Sequence, residues 1–180
     1  YASARKALGN VVALNIIIGV AFMVVSLLFL DKILLFFGAS ENTLQYAREY
    51  MEIILYGNVV THMYLGLNAV MRSGGHPQRS MAMTILTVIL NAILDPIFIF
   101  VLDWGIRGAA IATILAQIVA LTWILISFTN KQEMLHFESG IFKLDRRIVT
   151  ASLSIGMAPF LMNVAACVIV IFINNGLQQH

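Results

Sequence analysis

Between Ala7 and Leu30 the chain carries no acidic or basic residue, and long runs of the same kind recur to its end. A hydrocarbon layer about 30 Å thick is crossed by a helix of about 20 predominantly apolar residues. Within hydrocarbon every backbone polar group must be satisfied internally, so only helices and closed barrels span it. The runs here are long and continuous rather than short and alternating, which selects helices. Composition agrees: 60% of the 180 residues are apolar and 11% are charged, against roughly a quarter charged in an ordinary soluble domain. The mean hydropathy is +0.89. The expected fold class is all-α, a polytopic transmembrane helix bundle.

Five spans follow from the pattern. The first covers about 8–37, with Asp31 and Lys32 near its outer end, where long side chains snorkel to water. Gly38-Ala39-Ser40-Glu41 reads as a turn, with Ser40 as N-cap and Glu41 in the favourable first turn. The second span covers about 46–72, and Arg48, Glu49 and Glu52 make its start wet. A polar turn containing Gly74, Gly75 and Pro77 leads to the third, about 80–102. A tight turn from Asp103 to Arg107 leads to the fourth, about 108–129. Phe137, Ile141, Phe142 and Leu144 suggest a strap at the membrane interface within 130–147. The fifth span covers about 148–180. Gly108, Ala112, Ala116 and Ala120 recur every four positions and form a smooth ridge for close helix contact.

Lys and Arg near span ends set orientation. Arg5 and Lys6, then Arg72 and Arg79, then Lys131, Lys143, Arg146 and Arg147 fall on one side. Cations on the other side are offset by acids. The bias places the start of the segment in the cytoplasm, within a multi-pass protein of the cell membrane. The chain begins at Tyr1 and runs into a span without a cleavable signal pattern. It is therefore expected to be a piece of a longer chain.

A net charge of +2 and the lack of a basic stripe argue against a nucleic-acid partner. Cys167 sits in an apolar run and reads as a packing or lipid-facing residue. The histidines show no metal spacing, and Gly74-Gly75 lacks a P-loop's Lys-Ser/Thr and preceding strand. With no nucleophile–base set, an enzyme is not expected, nor is any cofactor.

The chemistry resides in polar residues that a membrane makes expensive. Asp95 is the one acid well inside a predicted span, and such a group costs about 2.5–3.5 kcal/mol on insertion scales. Asn91 lies one helical turn before it, on nearly the same face, and Thr84 and Thr87 extend the stripe. Pro96 cannot donate a hydrogen bond to the carbonyl of Ala92. A carboxylate, an amide and a freed carbonyl within a turn are hard oxygen ligands, suited to a small cation or a proton site. The competing reading is a hydrated helix-end acid beside a kink.

Tyr50, Gly57, Thr61, Tyr64 and Asn68 form a second stripe, and Thr113 and Gln117 a third. Thr61, Tyr64, Gln117 and Thr87 are candidate cavity-lining residues. Ordinary interhelical hydrogen bonding, worth about 0.6 kcal/mol per contact, is the plainer reading of any one of them. His62 reads as a packing residue. Pro96 and Pro159, the latter with Asn163 nearby, mark bending points.

Three runs together resemble the MATE family of multidrug and toxic-compound extrusion antiporters: Arg72-Ser73-Gly74-Gly75, Asn91-Ala92-Ile93-Leu94-Asp95-Pro96, and Gly105 through Thr113. Phe37-Gly38-Ala39-Ser40, Ala47-Arg48-Glu49-Tyr50 and Ile155-Gly156-Met157-Ala158-Pro159 also fit. The resemblance covers nearly the whole chain and lies nearest the DinF-like bacterial and archaeal branch. It implies a twelve-helix, two-lobe fold. Residues 1–130 would supply helices three to six of the N-terminal lobe, 131–147 the cytoplasmic inter-lobe loop, and 148–180 the first helix of the C-terminal lobe. Helices one, two and eight to twelve would lie in the remainder of the same chain.

The resemblance also implies the activity: export of drugs or organic cations in exchange for sodium or protons, by alternating access. Asp95, Asn91, Thr113, Tyr50 and Asn68 match the family's cation- or proton-coupling positions, with sodium held at Asp95, Asn91 and Thr113. The lipid bilayer and a small organic cation or drug are the implied partners. The alternatives are a lipid-linked-precursor flippase of the same superfamily, which calls for a basic cavity, and a non-transporting membrane scaffold.

Overall fold

A computed structural model describes residues 2–129, 136 and 144–178. All regular structure among them is helical: α1 (Ala2–Leu28), α2 (Leu30–Phe36), α3 (Glu41–Tyr56), α4 (Asn58–Ser73), α5 (Pro77–Pro96), a π-helical turn (Ile97–Val101), α6 (Gly105–Thr129) and α7 (Arg146–Gln178). Four helices are long and apolar enough to cross a membrane, and the bent pair α3–α4 makes a fifth when the two are counted as one span. The chain is thus a polytopic membrane helix bundle. Large apolar side chains such as Phe100, Ile155 and Phe172 lie on its outside, as on a surface that meets lipid or further helices rather than water.

The first span is divided at Phe29, which leaves helical geometry (φ −114°, ψ 17°). The short α2 beyond it packs on α3 and brings Asp31 to 3.3 Å from Arg48. The outer acid is therefore ion-paired rather than only snorkelling. Arg48 also holds Glu52 at 2.9 Å, and Arg107 at the start of α6 holds Glu49 at 3.1 Å. These pairs tie α2 and the start of α6 to the body of α3. At the head of α3, the Ser40 N–H donates to Thr43 Oγ1 at 3.0 Å, which fixes where that helix starts.

The second span is two helices that meet at Gly57 with a 55° bend. The third passes Pro96 and widens into the π turn, where the Leu102 N–H reaches the Ile97 carbonyl at 2.9 Å. Proline removes one helical donor, and local widening is a usual way of absorbing that loss. Asp103 takes a positive φ of 56° and Gly105 one of 53°, so the turn reverses within a few residues. The close return leaves no room at Gly108, where a Cβ would lie 2.6 Å from the Phe98 carbonyl oxygen.

The α6 ridge of Gly108, Ala112, Ala116 and Ala120 is fully buried. Residues that small let α3, α4 and α5 approach the α6 backbone. Toward the other end, Leu8, Val12, Met63, Leu67, Met83, Ile124 and Phe128 close an apolar cluster between α1, α4, α5 and α6. The last helix, α7, lies apart on exposed apolar faces and continues through Pro159 as one element. Its start is tethered: Asn10 Oδ1 accepts the Asp145 N–H at 2.8 Å, and Asp145 Oδ1 accepts the Arg147 N–H at 2.9 Å. Of the expected interfacial strap, Leu144 is exposed, while Phe137, Ile141 and Phe142 lie outside the described residues.

Candidate functional site

Helical periodicity places Asn91 and Asp95 one above the other on α5. The Asn91 amide nitrogen donates to Asp95 Oδ1 at 2.9 Å. The same nitrogen lies 3.4 Å from Thr113 Oγ1 on α6. Thr113 in turn donates to the Ala109 carbonyl at 3.0 Å, which fixes its rotamer. All three side chains are half-buried. The three predicted ion-site residues therefore come together across the α5–α6 interface, one turn before Pro96.

A ladder of polar rungs continues from this cluster along α4. Thr87 Oγ1 pairs with the Tyr64 hydroxyl at 3.2 Å. Asn68 Nδ2 donates to Thr84 Oγ1 at 3.1 Å. Thr61 Oγ1 donates to Gln117 Oε1 at 2.6 Å. Tyr64 and Asn68 are buried, at 5% and 4% exposure. Asn68 Oδ1 is the one buried side-chain polar atom without a partner among the described residues. Tyr50 stands apart: it is half-buried on α3, and among the described residues it makes no side-chain hydrogen bond to the cluster. His62 Nδ1 lies 3.0 Å from the Asn58 carbonyl oxygen, a bond that needs the proton on Nδ1 and suits a packing role.

Asn58 was not singled out in the sequence. It is buried, and its Nδ2 donates to the Gly19 carbonyl at 2.8 Å, tying α4 to α1 just beyond the bend. An amide beside a glycine inside an apolar run was the available signal. Thr84, by contrast, sits on the α5 stripe and finds its partner where that stripe faces α4.

Asn91 presents its amide N–H group to Asp95. Turning that amide over would instead present its oxygen. Asp95, Asn91 and Thr113 then offer carboxylate, amide and hydroxyl oxygens, the hard donors that sodium takes. A proton needs only the carboxylate. The residues fit either ion. No group of three or more His, Cys, Asp or Glu among the described residues is placed to bind a metal.

The MatE family model matches residues 1–97, a span that includes Asn91 and Asp95. The chain belongs to the MATE family. It is 31% identical over 148 residues to the multidrug export protein MepA of Staphylococcus haemolyticus, covering 82% of this chain and 33% of that protein. The MATE chain thus spans about a third of the length of the curated relatives it matches. Among solved structures it superposes on an inward-facing multidrug resistance MATE transporter of the MOP superfamily with a TM-score of 0.84. Identity is 26%, over 93% of this chain and 39% of that one. An outward-facing structure with the same description gives a TM-score of 0.73 at 26% identity, over 91% of this chain and 39% of that one.

Proposed function

We propose that this MATE chain is part of a secondary antiporter of the cell membrane that exports drugs or organic cations in exchange for protons or sodium. The observation that carries the reading is the half-buried Asn91–Asp95–Thr113 cluster, an acid with two polar partners on packed membrane helices. Intramembrane acids mark ion and proton pathways by default. The names of the relatives point the same way. In this reading residues 1–130 belong to an N-terminal lobe, α7 opens the second lobe, the start of the segment is cytoplasmic, and the remaining helices lie elsewhere in the same chain.

The cluster acts through charge. A proton or sodium ion at Asp95 cancels the carboxylate charge and releases the Asn91 amide from it. Removing a charge from a half-buried helix interface changes which packing is preferred, and so biases two conformations open to opposite sides. One positive charge moving inward through 100 mV releases about 2.3 kcal/mol, which sustains roughly a fiftyfold gradient of a neutral exported substrate; a monovalent organic cation exchanged one for one draws instead on the chemical gradient of the ion. In this reading Tyr64, Asn68, Thr61, Thr87 and Gln117 line the route as neutral groups, while Tyr50, apart from the cluster on α3, would act only through a change in packing. None of these carries a positive charge, which disfavours a phosphate-bearing lipid precursor as cargo.

The test is dye and drug efflux by the full-length protein in proteoliposomes under imposed sodium or pH gradients. Asp95→Asn should abolish gradient-driven efflux. Wild-type transport by that variant at normal expression would sink the assignment.

A further inference from the structure

Within little more than one turn, α6 presents three side chains to three different partners. Thr113 faces the Asn91–Asp95 pair. Ile114 fills the notch at Gly57, where a Cβ would lie 2.4 Å from its Cδ1 and 2.5 Å from its Cγ1. Gln117 accepts the Thr61 hydroxyl at 2.6 Å, and Thr61 also lies 3.4 Å from the Gly57 carbonyl oxygen. Gly57 is where α3 and α4 meet at 55°. The helix that touches the acid cluster is therefore the helix wedged into the bend.

We infer that Ile114 and Gln117 are positioning residues that couple the state of the Asn91–Asp95–Thr113 cluster to the angle between α3 and α4. The inference rests on reading that cluster as the ion or proton site. Thr113, Ile114 and Gln117 share one unbroken helix, so they move as a body. When the Asp95 charge is cancelled, Asn91 changes its hold on Thr113, and α6 is free to shift against α5. Ile114 then moves in or out of the Gly57 notch, and Gln117 carries the first turn of α4 with it. A Cβ at position 57 would displace the Ile114 side chain from the notch. Small shifts at packed contacts are the usual means of moving a hinge, and the knob in its notch makes this hinge sensitive to α6 alone.

Size complementation tests the idea in the full-length protein. Spin labels at Tyr46 and Leu65, both exposed and on opposite sides of the bend, report the α3–α4 distance in nanodiscs as sodium and pH are varied. Wild-type protein should show an ion- or pH-dependent change in that distance, and Gly57→Ala should remove it. Gly57→Ala combined with Ile114→Ala should restore it, with efflux recovering to within about threefold of wild type. Gln117→Leu should keep the fold but broaden the distance distribution under every condition. A distance that ignores Gly57→Ala, or a double variant no better than the single one, overturns the coupling. Ion-dependent efflux alongside an ion-independent distance also overturns it while leaving the site reading intact. Ion-independent efflux overturns the site reading itself.

Discussion

The Asn91 amide nitrogen lies 2.9 Å from Asp95 Oδ1, one helical turn away on the same face of α5. The pair is local, set by a spacing of four residues. Its second contact, to Thr113, is not local, since Thr113 belongs to α6. The candidate site is therefore a sequence motif completed by a helix–helix interface, and each half can be tested separately.

Replacing Asn91 by Leu removes the donor to the carboxylate and nearly preserves volume. A hydrogen bond to a charged group contributes about 1.5–3 kcal/mol. The apparent sodium or proton constant for efflux should therefore shift by tenfold or more. Maximal efflux at a saturating gradient should fall less. Ion titration of transport in proteoliposomes measures both. An unchanged constant would mean that Asn91 only fills space.

Tyr64→Phe removes the hydroxyl that meets Thr87 at 3.2 Å and keeps the buried ring. Interhelical hydrogen bonds in membranes average about 0.6 kcal/mol. The variant should unfold within a few degrees of wild type and keep its ion dependence. A marked change in ion dependence, followed by pH and sodium titration, would move Tyr64 from the cavity lining into the coupling site.

Ala116 is fully buried on the α6 ridge. Ala116→Leu forces extra volume into a close helix contact, at a cost of about 1–3 kcal/mol. Val119→Leu, on an exposed face of the same helix, should be silent. Thermal unfolding of both full-length variants in detergent gives the comparison. Equal stability would show that the ridge is not a tight contact.

Much of the bundle was legible in the residues alone. Hydrocarbon forbids unpaired backbone groups and penalises charge, so uncharged runs had to be helices, and polar residues inside them had to share faces. Periodicity then put Asn91 beside Asp95, and the four-residue spacing of Gly108, Ala112, Ala116 and Ala120 made one buried ridge. These are one-dimensional properties of a helix, and sequence contains them.

The tertiary structure decided what meets across helices. The second span read as one helix and is two, which meet at 55° at Gly57, where the Ile114 side chain occupies the space a Cβ would take. Asp31 read as a snorkelling end residue and is ion-paired, because the break at Phe29 turns it toward Arg48. Thr61 and Gln117 were two members of separate stripes, and only packing of α6 on α4 made them one hydrogen bond. A helical repeat fixes the face on which a side chain sits. Which neighbour that face meets depends on helix angle and approach, and those are set by the steric fit of residues distant in sequence.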